Sequence, residues 1–336
     1  MPKQFLDILG TGKSLIRQTF ERFSDICPVE NVFVVTNKAY KDLVLEHIPE
    51  LSESQVLLEP MMRNTAPCIA YATYKIAGLN PEANIVVAPS DHLILDVAQF
   101  NEIINLAIKE TNETDALVTL GIKPSRPDTG YGYICFEDKK ADDTRVKNVL
   151  QFTEKPALDK AKEFLSAGNY YWNSGIFIWS LRNIKRNFEE HLPDMAELFA
   201  AGADKFNSPE EQAFIDERFG DCDNISIDYG IMEPAKQVSV VLSDFGWSDL
   251  GTYGSLATHL EADADGNSNP RENVRYYEAK NNVVIAPEDH FAVIQGLEGH
   301  IVVQTEKALL ICRKDDEQMI KTFVNDLKNH GPKEQV

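Results

Sequence analysis

Residues 85–92, IVVAPSDH, place a serine, an aspartate and a histidine at the end of an apolar run. Four apolar residues read as a strand buried on both faces, and Pro89 then stops the ladder. In open α/β sheets, ligands gather beyond the carboxyl ends of the strands. Asp91 there, with no lysine or arginine beside it in sequence, suits a hard cation such as Mg²⁺ with its phosphate oxygens. Capping of the following turn explains the same residue and, taken alone, explains it better. A second lone carboxylate of similar character, Asp249 in GWSDLGTY, shifts the balance. Two carboxylates on separate strand ends, joined by a metal, can hold a triphosphate while lysines meet the charge that develops on it.

Five further patterns lie around these two. Lys3 in PKQF is an exposed basic loop residue, for which an ordinary surface role is the simpler reading. In EPMMRNTAP (59–67), Asn64 or Thr65 can cap a helix with Pro67 in its first turn. The N–H groups of that turn could face a phosphate or the edge of a base. TGYGYI (129–134) sets two glycines around a tyrosine, which lets backbone approach a ligand and equally makes a plain turn. FTEKP (152–156) puts Glu154 and Lys155 side by side at a strand end. On opposite faces of the chain the two do not readily pair, so they are expected to serve different atoms of a sugar phosphate. WNSGIF (172–177) offers the amide of Asn173 between aromatics, suited to sugar hydroxyls or to a buried hydrogen bond.

Composition narrows the partners. The 336 residues carry 33 lysines and arginines against 53 acids, a net charge of −20. Such a surface repels nucleic acid and anionic membranes, so neither is an expected partner, and an anionic substrate needs local cations. The five cysteines are scattered without a CxxC pair, and the seven histidines lack HxH or HExxH spacing. Buried thiols in a reducing cytosol and no zinc site are the expectation. With no apolar run near 18 residues and no signal-peptide pattern, a cytoplasmic location is expected.

The elements that must position these residues alternate. Strands at 32–35, 55–58, 85–88 and 116–120 are separated by helices at 39–48, 65–77 and 100–109. This pattern argues an α/β fold, Rossmann-like, with a mostly parallel sheet covered on both faces. Residues 124–134 read as a loop, 146–153 and 171–179 as strands, and 184–219 as a helical insert. Residues 262–274 form a polar linker. Beyond it, four short strands near 282–286, 291–295, 300–304 and 308–312 recur about every nine residues, which suits a small β-meander or solenoid-like cap. A helix over 316–327 and a charged tail close the chain.

Taken in order, EPxxRNTAP, PSDH, GYGYI, FTEKP, WNSGIF and WSDLGT resemble the motifs of the mannose-1-phosphate guanylyltransferases, sugar-nucleotide transferases also called GDP-mannose pyrophosphorylases. The resemblance runs from Pro2 to about residue 330. It implies a nucleotidyltransferase domain over 1–261, the linker at 262–274 and a small β domain with a C-terminal helix over 275–336. It implies Asp91 and Asp249 as Mg²⁺ ligands, Lys3 on the triphosphate of GTP, and Lys155 on the phosphate of mannose 1-phosphate. Glu59, Arg63, Asn64, Thr65 and Ser90 would line the guanosine side, and Gly132, Glu154 and Asn173 the mannose. The β region is smaller than the isomerase domain of bifunctional relatives, so a single activity is expected; a homodimer is the assembly the resemblance allows. It also implies a strand and a GGxGxRxWPxSR loop before PKQ, whereas this sequence opens Met1-Pro2-Lys3. Without them, weak transferase activity and lower stability are expected of the chain. A guanylyltransferase for another manno-configured sugar 1-phosphate, or a non-catalytic nucleotide-sugar-binding relative, are the alternatives.

Overall fold

The structure, a computed structural model, describes residues 1–138, 144–305 and 308–330. Of the charged tail expected after residue 327, residues 331–336 lie outside the described residues. The helices and strands follow the periodicity of the sequence closely. First come α1 (Leu15–Phe23), β1 (Val34–Asn37), α2 (Lys41–His47), β2 (Val56–Glu59) and α3 (Thr65–Leu79). Then come β3 (Asn84–Val87), the short β4 (Leu93–Ile94), α4 (Val97–Thr114) and β5 (Leu117–Ile122). Next are β6 (Tyr133–Phe136), β7 (Val146–Thr153), α5 (Leu158–Ala167), β8 (Tyr170–Ser180), α6 (Leu181–His191), α7 (Pro193–Ala201) and α8 (Glu211–Arg218). After β9 (Val238–Ser243), the short β10 (Trp247–Ser248) and α9 (Tyr253–Ala257), five strands remain. They are β11 (Val274–Tyr277), β12 (Val283–Ile285), β13 (Ala292–Gln295), β14 (His300–Gln304) and β15 (Leu309–Arg313), ahead of α10 (Ile320–His330).

Two compact units result. One is built from Ile16–Ser90 and Ile94–Trp247, the other from Met1–Leu15, Asp91–Leu93 and the chain from Ser248 onward.

In the first, a six-stranded sheet runs in the order β3-β8-β5-β9-β7-β6, with β8 also pairing β6, so that five of its strands close on themselves. β3, β5, β9 and β6 run in one direction, as the α/β alternation expects, while β8 and β7 are interleaved against them. Only β5–β9 is therefore a parallel ladder within this sheet, and β1–β2 form a separate parallel pair. Among the described residues β3 pairs with β8 alone, and only Ile85 in it is fully buried. The expected burial on both faces fails because β3 is a sheet edge.

Alternation along β5 sets the two faces. Val118, Leu120 and Ile122 join a cluster with Phe100, Ile103 and Ile104 of α4 and Phe164 of α5. Leu117 joins a second cluster with Trp179, Phe188, Phe199 and Phe219, under α3, α6, α7 and α8. Thr119 shares the face of Leu117. The stripe on α4 (Phe100, Ile103, Ile104, Ala107, Thr111) has helical spacing, and Asp96 caps it by accepting from Gln99 N at 2.9 Å. Cys135 and Cys222 are buried and Cys27 and Cys68 half-buried; none is in a disulfide.

In the second unit the solenoid reading holds for most of the β region. β11 pairs β13 and β12 pairs β14, both parallel, with Val274 opposite Ala292 and Val283 opposite Ile301. Partners are thus 18 residues apart (292 against 274, 301 against 283), two nine-residue steps per turn. Only the last pair, β14–β15, is an antiparallel hairpin. Fully buried Asn282 ties successive turns together, donating to Asn267 Oδ1 at 2.9 Å and Leu297 O at 2.8 Å and accepting from His300 N at 2.9 Å. β11 begins at Val274, the last residue of the expected linker, and precedes the four strands expected from the sequence.

Candidate active site

Lys3, Asp91 and Asp249 come together in the second unit. The Lys3 ammonium lies 3.0 Å from Asp91 Oδ2 and donates to the backbone carbonyl of Asp249 at 2.5 Å. Asp249 Oδ1 accepts from Gly251 N at 3.0 Å, a tight turn that holds the carboxylate beside the strand end. Asp91 and Lys3 are each about one-third exposed, so this is an accessible ionic cluster. Surrounding it, Leu15, Leu93, Leu250 and Leu256 pack with Ile8 and Leu9. That apolar packing gives the PKQFLDIL segment its place.

The donor set suits a hard divalent cation. Both acids offer only oxygen, and among the described residues no group of three or more His, Cys, Asp or Glu could hold a metal. A cation here would complete its shell with phosphate oxygens and water, the habit of Mg²⁺.

The first unit holds the other expected residues in two groups. At the start of α3, Asn64 is the cap: its backbone sits at φ 67° and its Oδ1 accepts from Thr65 N at 3.1 Å. Ala66 N donates to Ile225 O at 3.1 Å, and Pro67 has no N–H. The helix start is therefore largely satisfied by the chain itself, as the capping reading of this motif has it. Thr65 accepts from Ile227 N at 2.9 Å, and Arg63 donates to Gly220 O at 2.7 Å. Glu59, at the end of β2, keeps a buried carboxyl oxygen with no hydrogen-bond partner. Burial pushes its pKa up to about 7. Ser90 offers its carbonyl to the Thr19 hydroxyl at 3.4 Å.

The second group is Gly132, Glu154, Lys155 and Asn173. β8 bulges at WNSG: Thr119 of β5 opposes Phe177, whereas Gly121, two residues on, opposes Asn173. Gly175 at φ 71° absorbs the irregularity. Asn173 N donates to Gly132 O at 2.8 Å, while Tyr131 packs edge-on against Trp172 and Trp247. A Cβ at Gly132 would lie 2.3 Å from Glu154 Oε2, so glycine there makes room for the carboxylate.

Glu154 and Lys155 do pair, with Nζ 2.7 Å from Oε1, which corrects the expectation that they point apart. β7 ends at Thr153, and Lys155 adopts φ 45°, so the alternation of an extended chain no longer applies.

Asp228, outside every motif, is the residue that sequence reading missed. Its Oδ1 accepts from Asn173 Nδ2 at 2.7 Å, and its neighbour Ile227 bonds Thr65. The segment 225–228 thus ties the α3 group to the Asn173 group. The available signal was one acid inside the apolar run ISIDYGIM. Burial, and then the negative Glu154, push the Asp228 carboxyl up to about 6.

Residues 1–266 match the family model described as Nucleotidyl transferase, and residues 272–327 match the MannoseP isomerase/GMP-like beta-helix domain. The chain belongs to the nucleotidyl transferase family. It is 38% identical over 331 residues to a mannose-1-phosphate guanylyltransferase of Sinorhizobium fredii, covering 97% of this chain and 63% of that protein. It is 33% identical to the alginate biosynthesis protein AlgA of Pseudomonas aeruginosa, covering 99% of this chain and 69% of AlgA. The chain therefore spans less than two thirds of the length of the Sinorhizobium relative. A crystal structure from Thermus thermophilus, described as a mannose-1-phosphate geranyltransferase, superposes with a TM-score of 0.86 at 28% identity, covering 97% of this chain and 92% of that one. Among the described residues no helix is long and apolar enough to cross a membrane.

Proposed function

We propose that this nucleotidyl transferase moves a guanylyl group from GTP to mannose 1-phosphate, giving GDP-mannose and pyrophosphate. An oxygen of the sugar's phosphate forms a bond to the α-phosphorus of GTP as the bond from that phosphorus to the bridging oxygen of pyrophosphate breaks. The attacking phosphate is already ionised, so no general base is required. Positioning and charge neutralisation carry the rate.

Asp91 and Asp249 would hold the divalent cation, Mg²⁺, which supplies positive charge to the phosphates when bound. Lys3 meets the triphosphate, and Lys155 the phosphate of the sugar. Gly132, Glu154 and Asn173 contact mannose. Glu59, Arg63, Asn64, Thr65 and Ser90 line the guanosine. On this reading residues 1–261 are the transferase domain, with the β-helix region from 275 joined through 262–274.

The observation that carries the reading is the meeting of the Lys3 ammonium with the Asp91 carboxylate and the Asp249 backbone carbonyl, residues from three distant stretches. It occurs in a chain 38% identical to a mannose-1-phosphate guanylyltransferase. The test is release of pyrophosphate from GTP and Mg²⁺ with mannose 1-phosphate, glucose 1-phosphate or no sugar. Release that depends on mannose 1-phosphate supports the assignment; release with no preference for it overturns the sugar, and none at all overturns the reaction.

A further inference from the structure

The amide of Asn173 cannot turn over. Its Oδ1 accepts from Gly175 N at 3.2 Å and from the Thr119 hydroxyl at 3.0 Å. Its Nδ2 donates to Asp228 Oδ1 at 2.7 Å. A backbone N–H only donates and an ionised carboxylate only accepts, so each end of the amide meets the one partner type it can use. Gly175 N on Oδ1 and Asp228 on Nδ2 fix the amide's orientation, while the single Thr119 proton is shared between Oδ1 and Ile176 O at 3.2 Å. Among the described residues, the second Nδ2–H is what Asn173 has left to give.

Asp228 opens a short π-helical segment, Asp228–Met232, whose Gly230, Ile231 and Met232 are buried. Such segments are rare and mark functional positions more often than chance. The preceding residue, Ile227, donates its backbone N–H to the Thr65 hydroxyl at the start of α3, which anchors the chain next to Asp228. The charged groups acting on it are Glu154 and Lys155, and Lys155 in turn feels both Tyr229 and Asp228. Asp228 is half-buried, and its carboxylate accepts from Asn173 Nδ2.

We infer that Asp228 is a positioning residue for the sugar half of the reaction, holding the Asn173 amide so that its remaining N–H is presented to a hydroxyl of the sugar 1-phosphate. The inference rests on the reading of Gly132, Glu154, Lys155 and Asn173 as the sugar side. It assigns Asp228 no part in the nucleotide side and no contact with the reacting phosphorus.

The test compares Asp228→Ala and Asp228→Asn with the wild-type chain. In Asp228→Ala the KM for mannose 1-phosphate should rise about tenfold, the loss of one charge-assisted hydrogen bond, while the KM for GTP stays within about twofold. Asp228→Asn keeps an oxygen that accepts the same N–H and should recover most of that loss. Thermal unfolding of both variants identifies any general loss of fold. Independently of turnover, the ¹⁵N–¹H signal of the Asn173 side-chain amide should titrate with a midpoint near about 6 in the wild type, and not in either variant. Equal losses on both substrates, or an asparagine variant as impaired as the alanine one, would overturn the inference. So would an Asn173 amide signal that ignores the substitutions. If the wild type uses no sugar 1-phosphate, the reading of the site fails and takes the sugar role with it. The amide signal then decides alone whether Asp228 holds Asn173.

Discussion

The Lys3 ammonium bridges Asp91 and Asp249, 3.0 Å from the carboxylate of one and 2.5 Å from the backbone carbonyl of the other. One lysine near the start of the chain thus balances the acids expected to bind a cation. A lysine beside a metal carboxylate weakens binding of the cation alone by like-charge repulsion, but favours binding of the cation with its polyphosphate. Lys3→Met should therefore tighten binding of Mn²⁺ by itself, measured by calorimetry, and lower turnover by about a hundredfold. That is the loss associated with about 3 kcal/mol of preorganised charge stabilisation. Weaker Mn²⁺ binding together with normal turnover would place Lys3 outside the reaction.

Asp91→Asn and Asp249→Asn each remove a charge with little change in size. Asn at 249 retains an oxygen for Gly251 N–H, so the turn should survive. Both variants should melt near the wild-type temperature and lose Mg²⁺-dependent pyrophosphate release. Normal Mg²⁺ titration curves in either would show that the cation sits elsewhere.

Lys155 is exposed and paired with the more buried Glu154. Lys155→Ala should raise the KM for mannose 1-phosphate far more than that for GTP, because a point charge for the sugar's phosphate is lost. Steady-state kinetics with each substrate varied in turn measures this. A matching loss on GTP would reassign Lys155 to the nucleotide.

How far the sequence foretold this site depended on distance along the chain. The α/β alternation was legible because α4 and β5 each obey their own period, and the nine-residue strand spacing announced the coil after residue 274. Asn64 was found from local chemistry as a cap, and Asn173 as an amide between aromatics. β6 was hidden because Gly130 and Gly132 make TGYGYI look like loop, although Tyr133–Phe136 are all buried. Asp228 was hidden because its meaning lies in Asn173, 55 residues earlier, and no local spacing records that partner. The Glu154–Lys155 pair was misjudged because strand alternation was carried two residues past the end of β7. The left-handed backbone at Lys155 had no signal beyond the proline that follows it.

A buried ion pair away from the site bears on stability. Lys75 on α3 is 5% exposed and donates to both oxygens of Glu211 on α8, at 2.9 and 2.6 Å, with the Tyr71 hydroxyl on the same carboxylate at 2.7 Å. Glu211→Ala leaves a buried ammonium without its partner and should cost roughly 3–5 kcal/mol in a denaturant titration. Glu211→Gln keeps an acceptor and should cost less. An alanine variant as stable as the wild type would mean that water reaches Lys75 freely.

Glu59 makes the stability of the fold depend on pH. Its carboxyl is pushed up to about 7 by burial, from 4.5. Raising a carboxyl's pKa on folding means that the folded chain holds a proton the unfolded chain gives up. The contribution is fully present below about 4.5 and is lost as pH rises through about 7. Melting temperature should therefore decline across that window in the ligand-free protein. Glu59→Gln should flatten the decline and be the more stable form at pH 8, by at most roughly 3 kcal/mol. If Glu59 accepts N–H groups from the guanine edge, GTP favours the ionised form. Binding near pH 7 should then release about half a proton, seen as a buffer-dependent enthalpy in calorimetry. The glutamine variant should release none. A wild type whose binding enthalpy is the same in buffers of different ionisation heat would separate Glu59 from the nucleotide, leaving only its effect on stability.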